Sequence, residues 1–134
     1  MKILLKRAYE KAATADGFRV LVDRLWPRGR KTADLHLSAW AKDIAPSTEL
    51  RKWFGHDPTR WLEFCQRYEV ELKNPEVRTT IIQTIHAAQK WPAITLVYGA
   101  RDTEHNEAIV LQRIFQQVAS STSSTSKRQK ATAK

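Results

Sequence analysis

Along the chain, short apolar runs of β type are separated by longer stretches whose apolar residues recur every three or four positions. Residues 3–8 predict a first strand and residues 18–23, Phe18-Arg19-Val20-Leu21-Val22-Asp23, a second, β-branched one. The connection around Ala15-Asp16-Gly17 is about eight residues long, whereas a parallel crossover takes a dozen or more. These strands should therefore pair antiparallel or be separated by another strand. Residues 31–42 carry Leu35, Leu37 and Trp40 in neither period and read as an irregular arm with Trp40 turned inward.

Helical punctuation begins at Ser47, an N-cap followed by Glu49 where a carboxylate meets the positive end of the helix dipole; Leu50, Trp53 and Phe54 form the apolar face, and Gly55 stops it. Asp57-Pro58 opens the next helix, residues 58–72, with a cap and a proline whose missing donor costs nothing at that position. Its stripe is Trp61, Phe64, Cys65, Tyr68 and Leu72. Asn74-Pro75 repeats the signal before Val77, Ile81, Ile82, Ile85 and Ala88. After Trp91-Pro92, residues 94–100 form a nearly uninterrupted apolar run, the pattern of a central strand covered on both faces. Asp102 or Thr103 should cap a last helix carrying Ala108, Leu111, Ile114, Phe115 and Val118.

The expected fold class is therefore α/β, with a small, at least partly parallel sheet flanked by helices. It forms a single domain over 1–118, followed by a disordered tail over 119–134, Ser/Thr-rich and then basic. The net charge is +9; Lys127, Arg128, Lys130 and Lys134 hold four of these charges without an acid, leaving +5 on the body. That excess favours anionic partners but is modest for a nucleic-acid-coating protein. The single Cys65 excludes an internal disulfide, and its place on an apolar stripe fits a small core filler. The four histidines lack metal-site spacing, so no metal and no cofactor are expected. No run approaches membrane-spanning length and the apolar amino-terminal run is quickly followed by charge, so a cytoplasmic protein without membrane contact is expected.

Candidate chemistry concentrates where strands end. The second strand runs into Asp23, Arg24, Trp26, Arg28 and Arg30, and the last into Arg101 and Asp102. If these strands are parallel neighbours, both pairs meet at one rim, where α/β sheets place their ligands. Arg24, Arg28, Arg30, Arg101 and Asn106 are candidate anion-binding residues, since guanidinium groups hold phosphate or carboxylate through paired hydrogen bonds. His105 and Asn106 should sit in the first turn of the last helix, whose free donors also favour an anion. Trp26, Lys42, Asp43, Ser47 and Asp102 would line the crevice, although Ser47 is first of all a cap. The plainer reading is that Asp23 pairs with Arg24 or Arg101 to tie loops to the sheet, and that His105 is a surface or capping residue.

The residues support an anionic small-molecule partner, phosphorylated or nucleotide-like, with or without catalysis. In an enzyme, Asp23 or His105 would move protons while Arg24, Arg28 and Arg101 hold the anion. The alternative is a nucleic-acid-binding module in which Arg28, Arg30, Lys31 and the basic tail meet phosphates and Trp26 stacks on a base. Glycine-rich phosphate loops and serine-hydrolase elbows are missing. The oligomeric state stays open.

Three blocks carry a resemblance. Residues 16–29, from Asp16-Gly17-Phe18 to Trp26-Pro27-Arg28-Gly29, residues 40–58, from Trp40-Ala41-Lys42 to His56-Asp57-Pro58, and residues 95–102 with Glu104, His105 and Asn106 resemble the YeaO-like family. These are bacterial domains of unknown function, and the likeness spans 1–118. It implies no particular activity. Other members of the larger group have a cysteine in the loop after the last strand; Arg101, Asp102 and His105 stand there in this chain, which speaks against thiol chemistry at that place.

Overall fold

The computed structural model describes the backbone of residues 1–132 and the side chains of residues 1–121. Four strands, β1 (Lys2–Arg7), β2 (Phe18–Leu21), β3 (Ala39–Trp40) and β4 (Ala93–Tyr98), form one wholly parallel sheet in the order β1-β4-β2-β3. The first two strands are thus kept apart by β4, in line with the shortness of their connection. As the unbroken apolar run implies, β4 is central and buried along its whole length.

Helices α2 (Thr48–Phe54), α3 (Trp61–Glu71), α4 (Pro75–Ala87) and α5 (Glu107–Thr132) cover one face of the sheet. Beneath them lie Ile3, Phe18, Val20, Ile94, Leu96 and Tyr98, packed against Phe64, Tyr68, Ile81, Leu111 and Phe115. Alternation along the strands sends Leu21 and Val97 to the opposite face, where they meet Ala8 and Leu35 beneath Trp26 and Leu37. The Ser47 hydroxyl caps α2 by accepting from Leu50 N at 3.1 Å, and Gly55 ends that helix in the left-handed region. Asp57 accepts from Thr59 N to start a 3-10 turn, Pro58–Arg60, that leads into α3, and Asn74 caps α4. The tail expected to be disordered over 119–134 lies, beyond residue 121, outside the described side chains.

Two expectations need correction. The arm over 31–42 contains a one-turn helix, α1 (Thr32–Leu35), and the edge strand β3, which pairs with β2 through Val20 and Leu21 only. Two residues are too short a strand to leave a period-2 signature. Trp40 faces outward, 39% exposed, because its indole Nε1 donates to Asp23 O at 2.7 Å instead of entering the core. The last helix starts at Glu107, with Asn106 as its cap, three or four residues later than Thr103 or Asp102 would place it.

Beneath the sheet, Arg19 is 3% exposed, an unusual burial for arginine. Its Nε donates to Leu35 O at 2.8 Å and its Nη1 meets Asp16 at 2.6 Å, while Lys6 reaches the same carboxylate at 3.0 Å. Burial pushes the Asp16 carboxyl up, but the Ala13 amide, Lys6 and Arg19 outweigh it and hold the group below its usual value. Gly17 leads from this cluster into β2 at φ +66° and lies against β4, where a Cβ would stand 2.3 Å from Ala93 O, so only glycine fits.

Candidate functional site

The carboxyl ends of β2 and β4, which are parallel neighbours, open into a cleft of about 260 Å³. Its walls come from the segment after β2 (Asp23 to Arg28), the α2 region (Ala45, Pro46, Arg51, Phe54, His56), the loop after β4 (Gly99, Ala100) and the start of α5 (His105 to Glu107). This is the edge at which α/β sheets bind ligands. The volume is just under the ~300 Å³ at which small-molecule pockets usually begin, which limits an occupant to something compact.

Asp23 leaves the sheet one residue past the Val22 amide, which still bonds to Val97 O at 3.0 Å. Its Oδ2 accepts from Gly99 N at 2.8 Å, and a Cβ on residue 99 would come within 2.9 Å of that oxygen. Glycine therefore lets the carboxylate sit against the backbone of β4's exit. Glu107, in the first turn of α5, brings a second carboxyl to Asp23. Its Oε1 is buried and has no hydrogen-bond partner among the described residues. Burial first, and then the hydrogen bond and negative charge of Asp23, push the Glu107 carboxyl well above the usual carboxylate range. Below them the buried Tyr68 hydroxyl donates to Ile44 O at 2.6 Å, and burial, then the charge of Glu107, raises its own pKa.

Three guanidinium groups, of Arg24, Arg28 and Arg51, line the same cleft. Among the described residues none makes an ion pair within 4 Å. Arg24 is fixed through Nε to Pro46 O at 3.2 Å and through Nη2 to Ala45 O at 3.1 Å, which leaves Nη1 uncommitted. Arg28 and Arg51 are exposed at the mouth. The Arg28 backbone is anchored because Tyr9 donates its hydroxyl to Arg28 O at 2.9 Å. His56 lines the cleft from a left-handed conformation, φ +58°, directly after Gly55.

On the β4 side, Asp102 accepts from the Glu104 and His105 amides and faces His105 Nδ1 at 2.9 Å. The Glu104 amide first, then the His105 contacts, hold the Asp102 carboxyl below its usual value. With Nδ1 engaged by a carboxylate, the Nε2 edge of His105 is the one free to meet another group. The imidazole packs edge-on to Trp61, ring centroids 5.4 Å apart.

Of the sequence candidates, Asp23, Arg24, Trp26, Arg28, His105 and Asn106 line the cleft. The others are placed elsewhere, and Trp26 and Asn106 are tied up by partners within the chain. Arg101 is exposed and forms no part of the wall, so Arg24 and Arg101 do not make a two-walled arginine site; backbone at Gly99 and Ala100 occupies that side. Arg30 turns back to donate to Ala8 O at 2.9 Å and approaches Asp34 at 3.8 Å. Asn106 is committed as the α5 cap, accepting from the Ala108 and Ile109 amides and donating to Asp102 O, so neither its amide nor those helix donors are free for an anion. Trp26 donates to Arg30 O and packs edge-on to Trp40, whereas Lys42 lies over Trp40 at 4.7 Å. Asp43 and Ser47 line a separate, more open depression beside α3, and Ser47 is bound there to Glu71. Asp102 contacts His105 rather than lining the cleft.

Sequence reasoning missed Glu107 altogether. An acid just after a capping asparagine reads as an ordinary complement to the helix dipole, and nothing local shows that it faces Asp23.

A parallel α/β domain with an arginine- and carboxyl-lined cleft at the carboxyl edge of its sheet is the class of protein these features define. A family model described as "Inactive DUF488-N3 subclade" matches residues 2–133. The chain is 46% identical over 111 residues, 83% of its own length and 94% of the relative's, to the uncharacterized protein YeaO of Escherichia coli (strain K12). It is 35% identical over 114 residues to the uncharacterized protein Rv3073c of Mycobacterium tuberculosis (strain ATCC 25618 / H37Rv), covering 85% of this chain and 93% of that one. No solved structure gives a significant match. The chain belongs to the YeaO-like family of the DUF488 group. Among the described residues no helix is long and apolar enough to cross a membrane.

Proposed function

We propose that the cleft binds a compact anionic molecule, a phosphate or carboxylate compound, with Arg24, Arg28 and Arg51 as its cationic wall. The observation that carries this reading is the convergence of three guanidinium groups, none of which is ion-paired among the described residues, on one concave site at the carboxyl edge of the sheet. Cations left without counterions in a concave site favour an external anion, and guanidinium geometry suits phosphate and carboxylate oxygens. The description "inactive" attached to the matching family model accords with binding without turnover. The nucleic-acid alternative has less support, because Arg30 is turned onto Ala8 and the Trp26 ring is occupied by Trp40.

The test is a thermal-shift screen of sugar phosphates, nucleotides and small carboxylates on the wild type, Arg28→Ala and Arg51→Ala. Arg24 is a poor target because its loss also frees two loop carbonyls. A bound ligand at a hundred times its Kd stabilises the fold by about 2.7 kcal/mol. The proposal predicts a shift in the wild type that both variants lose or weaken. Equal shifts in all three proteins refute it, as does no shift with any compound.

A further inference from the structure

The residues lining the cleft change in kind with depth. Those that are buried, and so form its inner wall, are Pro27, Ala45, Pro46, Phe54, Phe64 and Asn106. The first five are apolar, and Asn106 spends its amide on the α5 cap and on Asp102 O. Arg28, Arg51 and His56 are exposed at the mouth, with Arg24 half-buried. The cleft is thus cationic outside and apolar inside, a division that a bare inorganic anion does not use.

The inner wall is also aromatic. Phe54 and Phe64, 6% and 2% exposed, stack with ring centroids 4.4 Å apart and 29° between their planes, and Phe64 stacks in turn on Trp61 at 5.6 Å. Tyr9 adds a further ring at the mouth. Such rings favour another ring, set offset or edge-on, over a saturated chain. Water against Pro46, Phe54 and Phe64 finds few hydrogen-bond partners, so an apolar group gains by displacing it. The Asp23 carboxyl, bound to the Gly99 amide, also lines the cleft and is no partner for an anion. An anionic end therefore stays with the guanidinium groups, and an apolar end turns inward.

We propose that the cleft takes an aryl oxyanion, a single aromatic ring carrying a phosphate or carboxylate group, with the ring lodged against Pro46, Phe54 and Phe64 and the anion held by Arg24, Arg28 and Arg51. This rests on the anion-binding reading above and deepens it by naming the body of the ligand. A volume of about 260 Å³ suits one ring with its anionic group. Phe54 and Phe64 become specificity residues, whereas the arginines select only for charge.

The probes are inorganic phosphate, butyl phosphate and phenyl phosphate, titrated by calorimetry into the full chain at about pH 8, where all three are mainly dianions. For the wild type we expect phenyl phosphate to bind more tightly than inorganic phosphate by about tenfold or more, the gain from burying one ring, and with a more negative heat-capacity change. Butyl phosphate should fall between them, and inorganic phosphate should displace phenyl phosphate. Phe54→Leu keeps the wall apolar but removes a ring, so it should shrink the phenyl-to-butyl affinity ratio; if this variant does not fold, the wild-type series decides. Equal affinity for phenyl and inorganic phosphate, a butyl ester that matches the phenyl one, or a phenyl ester that inorganic phosphate cannot displace overturns the aryl assignment while leaving the arginine site intact. An unchanged ratio in folded Phe54→Leu overturns it too. Absence of binding by all three probes, or phenyl phosphate binding undiminished in the double variant Arg28→Ala/Arg51→Ala, brings down the anion cleft itself.

Discussion

Replacing Glu107 with glutamine should stabilise the fold at neutral and alkaline pH, an unusual outcome for removing a charge at a helix N-terminus. In the unfolded chain Glu107 ionises near 4.5, whereas burial and Asp23 hold its folded value well above that. Between these two values the native state binds the extra proton, so stability is fully present below about 4.5 and is lost as pH rises through the folded value. One linked proton gives a slope of up to about 1.4 kcal/mol per pH unit in that window. Glutamine keeps the size and a donor for Asp23 but cannot ionise, so this loss vanishes. Urea unfolding of both proteins at a series of pH values gives the difference directly. It should be small near pH 4 and widen in favour of the variant as pH rises. A difference that does not change with pH, or one that favours the wild type increasingly, refutes the account of the pair.

Two further substitutions probe the buried ion cluster. Asp16→Asn leaves the Arg19 guanidinium, its side chain 4% exposed, without its counterion and should cost about 3–5 kcal/mol in chemical denaturation. It should also remove an acid-side loss of stability, because a carboxyl held below 3.8 stabilises above that value and loses its contribution as pH falls through the folded one. Gly17→Ala combines a left-handed backbone with a Cβ 2.3 Å from Ala93 O, and thermal unfolding should show a loss of about 2–4 kcal/mol; a change under about 0.5 kcal/mol would mean the turn relaxes freely.

The elements legible in the sequence were those whose signals are local. Ser47, Asp57 and Asn74 announce helix starts because a cap and its following residues suffice to define one. The uniform apolar run of β4 likewise announces its central place. Strand β3 left no trace because two residues cannot display a period, and the onset of α5 was misplaced because Asp102 has the chemistry of a cap but serves a turn. At the site, the crowding of ionisable groups at the ends of β2 and β4 was readable, since strand ends are chemically abrupt. Which guanidinium groups point into the cleft was not. Arg24 and Arg30 differ in direction because of backbone partners distant in sequence, Ala45 and Pro46 for the first and Ala8 for the second. The Asp23–Glu107 contact depends on the register of two elements separated by most of the chain, which no local pattern records.

The position of β4 also orders events in time. It is the last strand made, and β1 and β2 have no ladder with each other, so before residues 93–98 exist only the two-residue pairing of β2 with β3 is available. A chain emerging from the ribosome must therefore carry β1 unpaired, and β2 paired only to the two residues of β3, until its final third arrives. Its apolar segments then depend on local helices or a chaperone for cover. The cleft closes later still, because Gly99, Ala100 and the start of α5 follow β4, so a fragment that stops short of β4 lacks the sheet and the site together.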